Sequence, residues 1–232
     1  MAQVLDRDLR RFSRRAVFLR FVGRLLCRAV HTFDGPVDTF GRPVVVVANH
    51  RSFFDVPVGF ALLESISLRA RILVRAKYFD IPLVGRFLRS AGCISAGSGW
   101  RATINTAVET LEAGRPVAVM LEGRIVPPEK RNESGLGKVR RGFLEIARAA
   151  DAVVLPVAMV GSDEVWPIGR RLPRLPWHGR PLVQIHVGET VVIDDLTNRE
   201  ALEAVRSVIA SHITRMSQEA PQTGNRFPGA NS

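Results

Sequence analysis

Short apolar runs alternate with amphipathic segments along most of this chain. Five runs are rich in valine and isoleucine and are bounded by polar residues, which is typical of strands buried within a sheet. Each of them predicts one strand: residues 44–48, 72–74, 117–120, 153–160 and 183–187.

Between and after these runs, apolar residues recur every three or four positions, which predicts helices. The predicted helices cover residues 56–64, 100–113, 139–150 and 198–218. Thr197 or Asn198 is a suitable N-cap for the last helix. The alternation predicts an α/β fold over residues 34–218, a single domain with a mainly parallel sheet covered by helices.

The first part of the chain has a different pattern. Residues 4–31 are basic and predict one or two amphipathic helices, with Arg20, Arg24 and Arg28 recurring every fourth position beside an apolar face. Such a helix either packs on the core with a solvated outer face or lies in a membrane interface with its arginines on lipid phosphates. We assign residues 1–33 to an N-terminal, membrane-associating helical segment that precedes the domain.

Two further segments carry no regular pattern. Residues 166–181 contain four prolines and five basic residues, which predicts an irregular excursion on the surface. The composition of residues 219–232 predicts a disordered tail.

The charge of the chain points to an anionic partner. The 232 residues carry a formal net charge of +11, and 46% of them are hydrophobic, enough for a sizeable core. Nucleic acid, an anionic membrane surface, and an acidic carrier or phosphorylated substrate would all fit this charge. A nucleic-acid-binding protein would carry exposed aromatics among its basic residues or a known motif. The sequence shows neither, so we expect no nucleic acid.

The sequence also predicts the compartment. Cys27 and Cys93 follow no metal-binding spacing and indicate no disulfide framework, so a reducing compartment is expected. No apolar stretch reaches the roughly 18 residues of a membrane span, which predicts no transmembrane helix. Arginines interrupt what would be the apolar core of a signal peptide. We therefore expect a cytoplasmic protein.

The strongest candidate for chemistry lies at residues 49–55, Asn-His-Arg-Ser-Phe-Phe-Asp, directly after the apolar run 44–48. A neutral imidazole such as that of His50 can accept a proton at about pH 7, and a carboxylate such as that of Asp55 can orient it and stabilise its charged form. On one regular helix the two side chains would point apart. His50 must therefore lie in a turn and Asp55 in the first turn of the next helix, with Ser52 as a suitable N-cap.

This block resembles the first signature block, Asn-His-x-Ser-x-x-Asp with its His-x4-Asp core, of the glycerophospholipid acyltransferases of the 1-acylglycerol-3-phosphate acyltransferase type. The resemblance covers about residues 34–190. It implies acyl transfer from a thioester, acyl-CoA or acyl-carrier protein, to a hydroxyl. It also implies that His50 is the general base, that Asp55 orients it, and that Asn49 and Ser52 help to bind substrate.

A second block, Glu-Gly-Arg at residues 122–124, follows the apolar run 117–120 and resembles the family's Glu-Gly-Thr-Arg block without its threonine. Gly123 permits a sharp turn and close approach by a ligand, and Arg124 offers a planar fork of donors for a phosphate. The resemblance therefore assigns Glu122, Gly123 and Arg124 to substrate binding. The same residues would also suit a surface turn with an ion pair.

Two more basic residues belong to the predicted substrate site. Lys138, in a glycine-containing entry to a helix, either contacts a phosphate or an acidic carrier or is simply solvated. Arg101 opens the predicted helix 100–113, where a phosphate would also meet the helix N-terminus. The family's second block commonly carries an arginine for the acceptor phosphate, and residues 92–97 have none there, so the acceptor stays open.

Together these residues predict an O-acyltransferase of phospholipid biosynthesis that depends on acyl-CoA or acyl-carrier protein. The expected acceptor is a lysophospholipid such as 1-acylglycerol-3-phosphate. The alternatives are another acceptor, such as a glycolipid or a secondary-metabolite alcohol, and a non-catalytic membrane-surface adaptor. We expect no cofactor beyond the acyl donor as co-substrate and no metal. The protein is expected to be peripheral on the inner face of the cell membrane, on an anionic surface.

Overall fold

The computed structural model describes residue 21 and residues 23–97, 99–177 and 179–219. Their strands are β1 (Arg28–Phe33), β2 (Val44–Ala48), β3 (Arg71–Arg75), β4 (Ile94–Ala96), β5 (Val117–Met120), β6 (Val153–Val160) and β7 (Leu182–Val187). These form one seven-stranded sheet in the order β1-β7-β6-β2-β5-β3-β4.

The strand directions decide where a site can form. All hydrogen-bonded neighbours are parallel except β6 and β7, so β1 and β7 run opposite to the other strands. β2 and β6 lie in the middle of the sheet and are buried along almost their whole length. The carboxyl ends of β2, β3, β5 and β6 meet at one edge, where open α/β sheets place their binding sites.

Helices cover both faces of the sheet. They are α1 (Asp55–Ser65), α2 (Pro82–Ser90), α3 (Trp100–Glu112), α4 (Gly142–Ala149), α5 (Ser162–Val165) and α6 (Asn198–Glu219), with 3₁₀ turns at Ala76–Tyr78 and Pro128–Lys130. Val44 and Val46 of β2 face a core layer shared with α1, whereas Val45 and Val47 face a layer shared with α3, α4 and α6. Because both faces are covered, β2 is apolar at every position rather than at every second one.

The predicted α/β fold with a mainly parallel sheet is confirmed. Residues 44–48, 117–120 and 153–160 are strands as predicted, and α1, α3 and α6 end within one residue of their predicted bounds. The helix predicted from residue 139 begins instead at Gly142. Thr197 caps α6, since its Oγ1 accepts the Glu200 N–H while the Glu200 carboxylate accepts the Thr197 N–H.

The predicted N-terminal helix is wrong at its C-terminal end, because Arg28–Phe33 is strand β1. Most side chains of β1 are exposed, so backbone pairing with β7 defines the strand and no apolar pattern marks it. The Arg28 N–H donates to Pro181 O at 2.8 Å. The sheet therefore begins before residue 34.

The rest of the predicted N-terminal segment can be placed only in part. Residues 23–26 are helical, whereas residues 1–20 and the predicted tail beyond Glu219 lie outside the described residues. The described residues of the excursion 166–181 form turns and bends, as predicted. No helix within the described part of the chain has both the length and the apolar character needed to cross a membrane.

Candidate active site

The candidate site lies where β2 ends and α1 begins, at the edge formed by the carboxyl ends of the parallel strands. Ala48 is the last residue of β2, and Asp55 is the first residue of α1. The short turn between them leaves His50 outside the helix and Asp55 in its first turn, as predicted. This turn brings the two side chains together.

His50 and Asp55 are joined by a short hydrogen bond. His50 Nδ1 lies 2.8 Å from Asp55 Oδ2, and the same oxygen accepts the backbone N–H groups of Arg51 at 2.7 Å and Ser52 at 2.8 Å. Asp55 is fully buried, whereas the His50 side chain keeps 14% of its surface exposed. Three donors on one oxygen fix the carboxylate and, through it, the imidazole.

This geometry also selects the histidine tautomer. A carboxylate can only accept, so we assign the proton to His50 Nδ1, and the ring keeps the lone pair on Nε2. Nε2 has no hydrogen-bond partner within the described part of the chain. The imidazole is therefore held ready to accept a proton from a molecule in the site.

Asn49 and Ser52 fix the turn, and their predicted part in substrate binding stays a prediction. Asn49 is fully buried, with Nδ2 donating to Met159 O at 2.9 Å and Oδ1 accepting the Met159 N–H at 2.7 Å. Ser52 is also fully buried, and its Oγ donates to Trp166 O at 2.7 Å. These bonds tie the end of β2 to β6 and to the residue after α5.

Ser52 does not cap α1 as predicted. The N-cap position is taken by Phe54, whose N–H donates to Ser52 Oγ at 3.0 Å. The hydroxyl therefore closes a tight turn one step before the helix. The acidic group of the first helical turn, Asp55, is directed back onto the same turn.

Glu122 supports the His50 turn from β5. Its side chain is buried, and Oε2 accepts the His50 N–H at 3.0 Å. Burial raises the pKa of Glu122, while hydrogen bonds from the backbone of Glu122, Gly137 and His50 oppose the rise. The carboxyl group thus links β5, the turn after β2 and the loop before α4.

Gly123 closes the turn after β5. Its φ of +65° lies in the left-handed region that favours glycine, and its N–H donates to Met120 O at 2.9 Å. Its carbonyl accepts Arg75 Nε at 3.2 Å, which connects the turn to β3. Arg124 follows at the same edge of the sheet with an exposed side chain that is free of hydrogen bonds and ion pairs to the described residues.

Arg101 and Lys138 are less closely placed. Both side chains are exposed, and neither forms a hydrogen bond or an ion pair to the described residues. Arg101 lies in the first turn of α3, where the neighbouring Trp100 donates through Nε1 to Glu145 of α4 at 2.7 Å. The structure thus places these two cations on the surface without joining them to the His50 turn.

Sequence reasoning missed a group of charges behind the turn. Arg51 is 9% exposed, and burial lowers its pKa. Arg131 donates through Nη1 to Asp163 at 2.7 Å and through Nε to Val126 O at 3.0 Å. Arg51 Nε and Arg131 Nη2 are buried without a hydrogen-bond partner among the described residues. Asp163 is thus bonded to Arg131, and it favours the charged form of Arg51 together with Asp55 and Glu122.

No local signal could have revealed this charge group. Arg51 stands at a position of the signature block that is free to vary, and Arg131 and Asp163 follow much later in the chain. They meet because the Val126 N–H donates to His50 O at 3.1 Å, which lays the loop after β5 across the turn after β2.

An aromatic row borders the turn. The Phe53 ring lies 5.9 Å from the Tyr78 ring, edge to face, and 5.8 Å from the Trp166 ring. Tyr78 belongs to the 3₁₀ turn after β3, and Trp166 opens the surface excursion. The row therefore joins the candidate site to two neighbouring surface segments.

Residues 26–160, more than half of the chain, match the family model described as Acyltransferase, and the chain belongs to that family. The match includes the turn with His50 and Asp55 and the turn with Glu122 and Gly123. It confirms the family predicted from these blocks.

Two curated relatives extend this result. A chloroplastic 1-acyl-sn-glycerol-3-phosphate acyltransferase of Arabidopsis thaliana is 26% identical over 148 residues, which cover 62% of this chain and 38% of the relative. An uncharacterized protein of Mycobacterium leprae is 32% identical over 140 residues, covering 53% of this chain and 34% of the relative. The chain thus spans little more than a third of the length of these relatives.

The fold also matches a solved structure. The crystal structure of the 1-acyl-sn-glycerophosphate acyltransferase PlsC from Thermotoga maritima superposes with a TM-score of 0.65 at 21% identity, covering 92% of this chain and 80% of that one. This likeness confirms the predicted α/β architecture.

Proposed function

We propose that this protein transfers a fatty acyl group from acyl-CoA or acyl-carrier protein to a hydroxyl of a lysophospholipid such as 1-acylglycerol-3-phosphate. The observation that carries the proposal is the His50 Nδ1–Asp55 Oδ2 bond of 2.8 Å, which leaves Nε2 of a partly exposed imidazole with its lone pair. Membership of the acyltransferase family and the names of the curated relatives support the reaction class.

In the proposed mechanism, His50 Nε2 takes the proton of the acceptor hydroxyl as its oxygen attacks the thioester carbonyl. The new C–O bond forms, the C–S bond breaks, and the proton passes from the imidazolium to the leaving thiolate. Asp55 stabilises the imidazolium and holds the tautomer. General base catalysis of this kind contributes roughly 10²–10⁴-fold. The acceptor attacks directly, so no acyl-enzyme is required.

Arg124 is the proposed contact for a substrate phosphate. Its guanidinium is exposed at the same edge as His50, and Gly123 before it leaves the backbone of the turn open to a ligand. We place Arg101 and Lys138 in an outer role, as exposed cations suited to an anionic donor or headgroup. Glu122 holds the turn on which these contacts depend.

The proposed location is the inner face of the cell membrane, reached from the cytoplasm. The described residues expose Trp177 at 81%, Leu172 at 74% and Leu83 at 84% of their surface. Arg170, Arg171, Arg174 and Arg180 alternate with the apolar residues of the excursion. Exposed tryptophan and leucine among arginines suit an anionic lipid interface, where each basic residue contributes about 1 kcal/mol.

Two other functions differ in what favours them. Residues 92–97 lack a second-block arginine, which favours an acceptor without a phosphate, such as a glycolipid or an alcohol of secondary metabolism. A non-catalytic membrane-surface adaptor is disfavoured, because a buried carboxylate and a histidine with a free ring nitrogen serve no purpose in adhesion.

The enzyme assay measures release of free thiol from acyl-CoA or acyl-carrier protein, with and without 1-acylglycerol-3-phosphate. We expect acceptor-dependent thiol release together with a labelled diacyl product. Acceptor-independent release would indicate hydrolysis, and release equal to that of His50→Ala would contradict acyl transfer. A labelled-donor screen against a lipid extract then identifies the preferred acceptor.

Vesicle co-sedimentation tests the membrane proposal. Binding should rise with anionic lipid and fall with salt, because the exposed arginines act through screened charge. The double variant Leu172→Ser, Trp177→Ser should lose the part of vesicle binding that persists at high salt. Deletion of residues 1–20, which leaves β1 intact, measures how much of the vesicle binding depends on the N-terminal segment. If neither change reduces binding to anionic vesicles, the membrane contact lies elsewhere.

A further inference from the structure

A second cluster of histidine and aspartate lies away from the candidate active site, on the face of the sheet covered by α6. We call Asp34, His186, His212 and Arg215 the Asp34 cluster. Asp34 directly follows β1, His186 belongs to β7, and His212 and Arg215 belong to α6. Three separate segments of the chain therefore converge on one carboxylate.

Each imidazole is hydrogen-bonded to one of the two carboxylate oxygens of Asp34. His186 Nε2 lies 2.9 Å from Asp34 Oδ1, and His212 Nε2 lies 3.0 Å from Asp34 Oδ2. One nitrogen from each ring and one carboxylate oxygen all lie within 4.8 Å of one another. Two imidazoles and a carboxylate are the ligand types that zinc and neighbouring transition metals accept.

The guanidinium of Arg215 marks where a positive charge is held. Its Nη2 lies 3.1 Å from His186 Nδ1, 3.2 Å from His186 Nε2 and 3.0 Å from His212 Nδ1, with Asp34 Oδ1 at 3.8 Å. An Nη2 group has two hydrogens, so it cannot donate to all of these atoms at once. The guanidinium thus places a positive charge against both imidazoles and beside the carboxylate.

Thr32 favours the tautomer that leaves a metal-binding lone pair on His186. Its Oγ1 lies 2.8 Å from His186 Nδ1 and donates to Ile185 O at 3.4 Å. A hydroxyl that donates to Ile185 O can accept the Nδ1–H of His186. In this tautomer the lone pair of His186 Nε2 faces a carboxylate oxygen at 2.9 Å, and a bound cation would relieve the repulsion between them. Such hydrogen bonds to the outer ring nitrogen are usual for histidine ligands.

We propose that Asp34, His186 and His212 bind a divalent transition-metal ion of the Zn²⁺ class, and that Arg215 competes with the ion for this position. Metal–ligand bonds of about 2.0–2.2 Å require the three side chains to close in around the ion and Arg215 to leave. The proposal concerns a site separate from His50 and stands whether or not the proposed acyl transfer is correct.

The surroundings allow both movements. A cavity of about 340 Å³ borders Asp34, His186 and Arg215 and gives room for a water as a fourth ligand. The Arg215 side chain is 48% exposed and the Asp34 side chain 28% exposed, so an ion can enter and the guanidinium can swing out. Glu219, one helical turn beyond Arg215, lines the same cavity and is placed to receive it.

The metal would join the ends of the fold. Its ligands come from the residue after the edge strand β1, from β7 and from the last helix; β1 and β7 are already paired in the sheet, so the ion adds chiefly a link from α6 to this strand pair. A ligand that binds the folded state alone stabilises it by mass action. We therefore expect bound zinc to raise the melting temperature by holding α6 to β1 and β7.

The experiment uses the full chain after dialysis against a chelator and then against chelator-free buffer. Zn²⁺ is added alone and the thermal midpoint is followed; Co²⁺ is added alone and its visible ligand-field absorption reports the coordination. We expect a Zn²⁺-dependent rise in melting temperature and a Co²⁺ spectrum of a nitrogen- and oxygen-liganded site. Zn²⁺ should then displace Co²⁺ and remove the spectrum.

The variants separate ligands from neighbours. Asp34→Asn and His212→Ala should abolish both signals, Thr32→Val should weaken affinity by about 10-fold or more, and Arg215→Ala should tighten it. His31→Ala, a histidine of β1 outside the cluster, is the control and should bind as the wild type does. Asp34 is partly exposed, so Asp34→Asn keeps the test valid if His212→Ala fails to fold.

The proposal is overturned by any of three results. One is the absence of a Co²⁺ spectrum in both the wild type and Arg215→Ala. Another is unchanged metal affinity in Asp34→Asn, which would place the ion elsewhere. The third is weaker binding by Arg215→Ala, which would show that the arginine supports the site rather than competing for it.

Discussion

Histidine meets aspartate at two places among the described residues, and the two clusters use the same bond in different ways. His50 Nδ1 lies 2.8 Å from Asp55, and His186 and His212 lie 2.9 and 3.0 Å from Asp34. The bond lengths alone would not tell them apart. What separates them is the second nitrogen of each ring.

At His50 that second nitrogen has no partner among the described residues, whereas in the Asp34 cluster it is hydrogen-bonded. His186 Nδ1 meets Thr32 Oγ1 at 2.8 Å, and His212 Nδ1 meets Arg215 Nη2 at 3.0 Å. The two imidazoles also stack with centroids 3.8 Å apart. A ring whose nitrogens are both engaged holds structure or a metal, while a ring with one free nitrogen can move a proton.

The largest expected effect is the loss of His50. His50→Ala should lower acyl-transfer turnover by at least 10²–10⁴-fold, because the acceptor loses its base. Its melting temperature should stay near that of the wild type, because Asp55 Oδ2 keeps the backbone N–H groups of Arg51 and Ser52 as donors. Thiol release and calorimetry on purified protein measure both.

The matched variant His212→Ala should behave in the opposite way with respect to stability. It removes the ring stacked on the buried His186 and the bonds to Asp34 and Arg215, which at about 0.5–1.5 kcal/mol per hydrogen bond lowers the melting temperature by roughly 2–4 °C per kcal/mol. His31→Ala controls for loss of any histidine. Near-wild-type turnover by His50→Ala would remove it from the mechanism and erase the contrast between the two clusters.

The next effect in size concerns the carboxylate. Asp55→Asn should reduce turnover by roughly 10²–10⁴-fold, since an amide neither fixes the Nδ1–H tautomer nor stabilises an imidazolium. The split between kcat and KM is the decisive measurement, because the carboxylate acts on the base and so its loss should lower kcat with little change in KM. A lowered melting temperature with an equal rise in KM would indicate a purely structural role for Asp55.

The same contrast explains what sequence could predict. His50 and Asp55 are five residues apart, and the apolar run before them predicts the strand. The turn between this strand and the next helix could therefore be predicted from the sequence. The hydrogen bonds of Asn49 and Ser52 could not be predicted, because their partners Met159 and Trp166 are more than a hundred residues away in the chain.

Strand β1 and the Asp34 cluster could not be predicted for the same reason, because both depend on contacts between distant parts of the chain. β1 has mostly exposed side chains, and it exists as a strand because of backbone pairing with β7, about 150 residues later. Its sequence instead favoured the end of an amphipathic helix. The Asp34 cluster combines three distant segments, so no spacing of its residues could have marked it.

A smaller effect is expected at the substrate contact. Arg124→Ala should raise KM for one substrate by roughly 10–100-fold, the value of about 1.5–3 kcal/mol for a charge-assisted hydrogen bond. Arg124→Lys should rescue KM poorly if the contact is bidentate. Arg69→Ala, an exposed arginine before β3 at the opposite edge of the sheet, is the control. Equal KM values for both substrates in Arg124→Ala and wild type would exclude Arg124 from the site.

The smallest expected effect lies at Glu122, which holds the His50 N–H at 3.0 Å. Burial raises the pKa of Glu122 above its ordinary value of 4.5. As pH rises above 4.5, the unfolded chain releases this proton while the folded chain retains it, so the free energy of unfolding falls through the window up to the raised pKa. Glu122→Gln keeps an acceptor for the His50 N–H but does not titrate. Its melting temperature relative to wild type should therefore rise with pH across that window.

Thermal melts at several pH values measure how the ionisation of Glu122 contributes to stability. The exposed Glu112→Gln variant is the control for removal of one negative charge. A difference between Glu122→Gln and wild type that stays constant with pH would show that the folded and unfolded states bind the Glu122 proton equally. A difference that rises as predicted would show that the two carboxyl groups bonded to the His50 turn differ. Asp55 is the acceptor that holds the imidazole, whereas burial opposes the ionisation of Glu122.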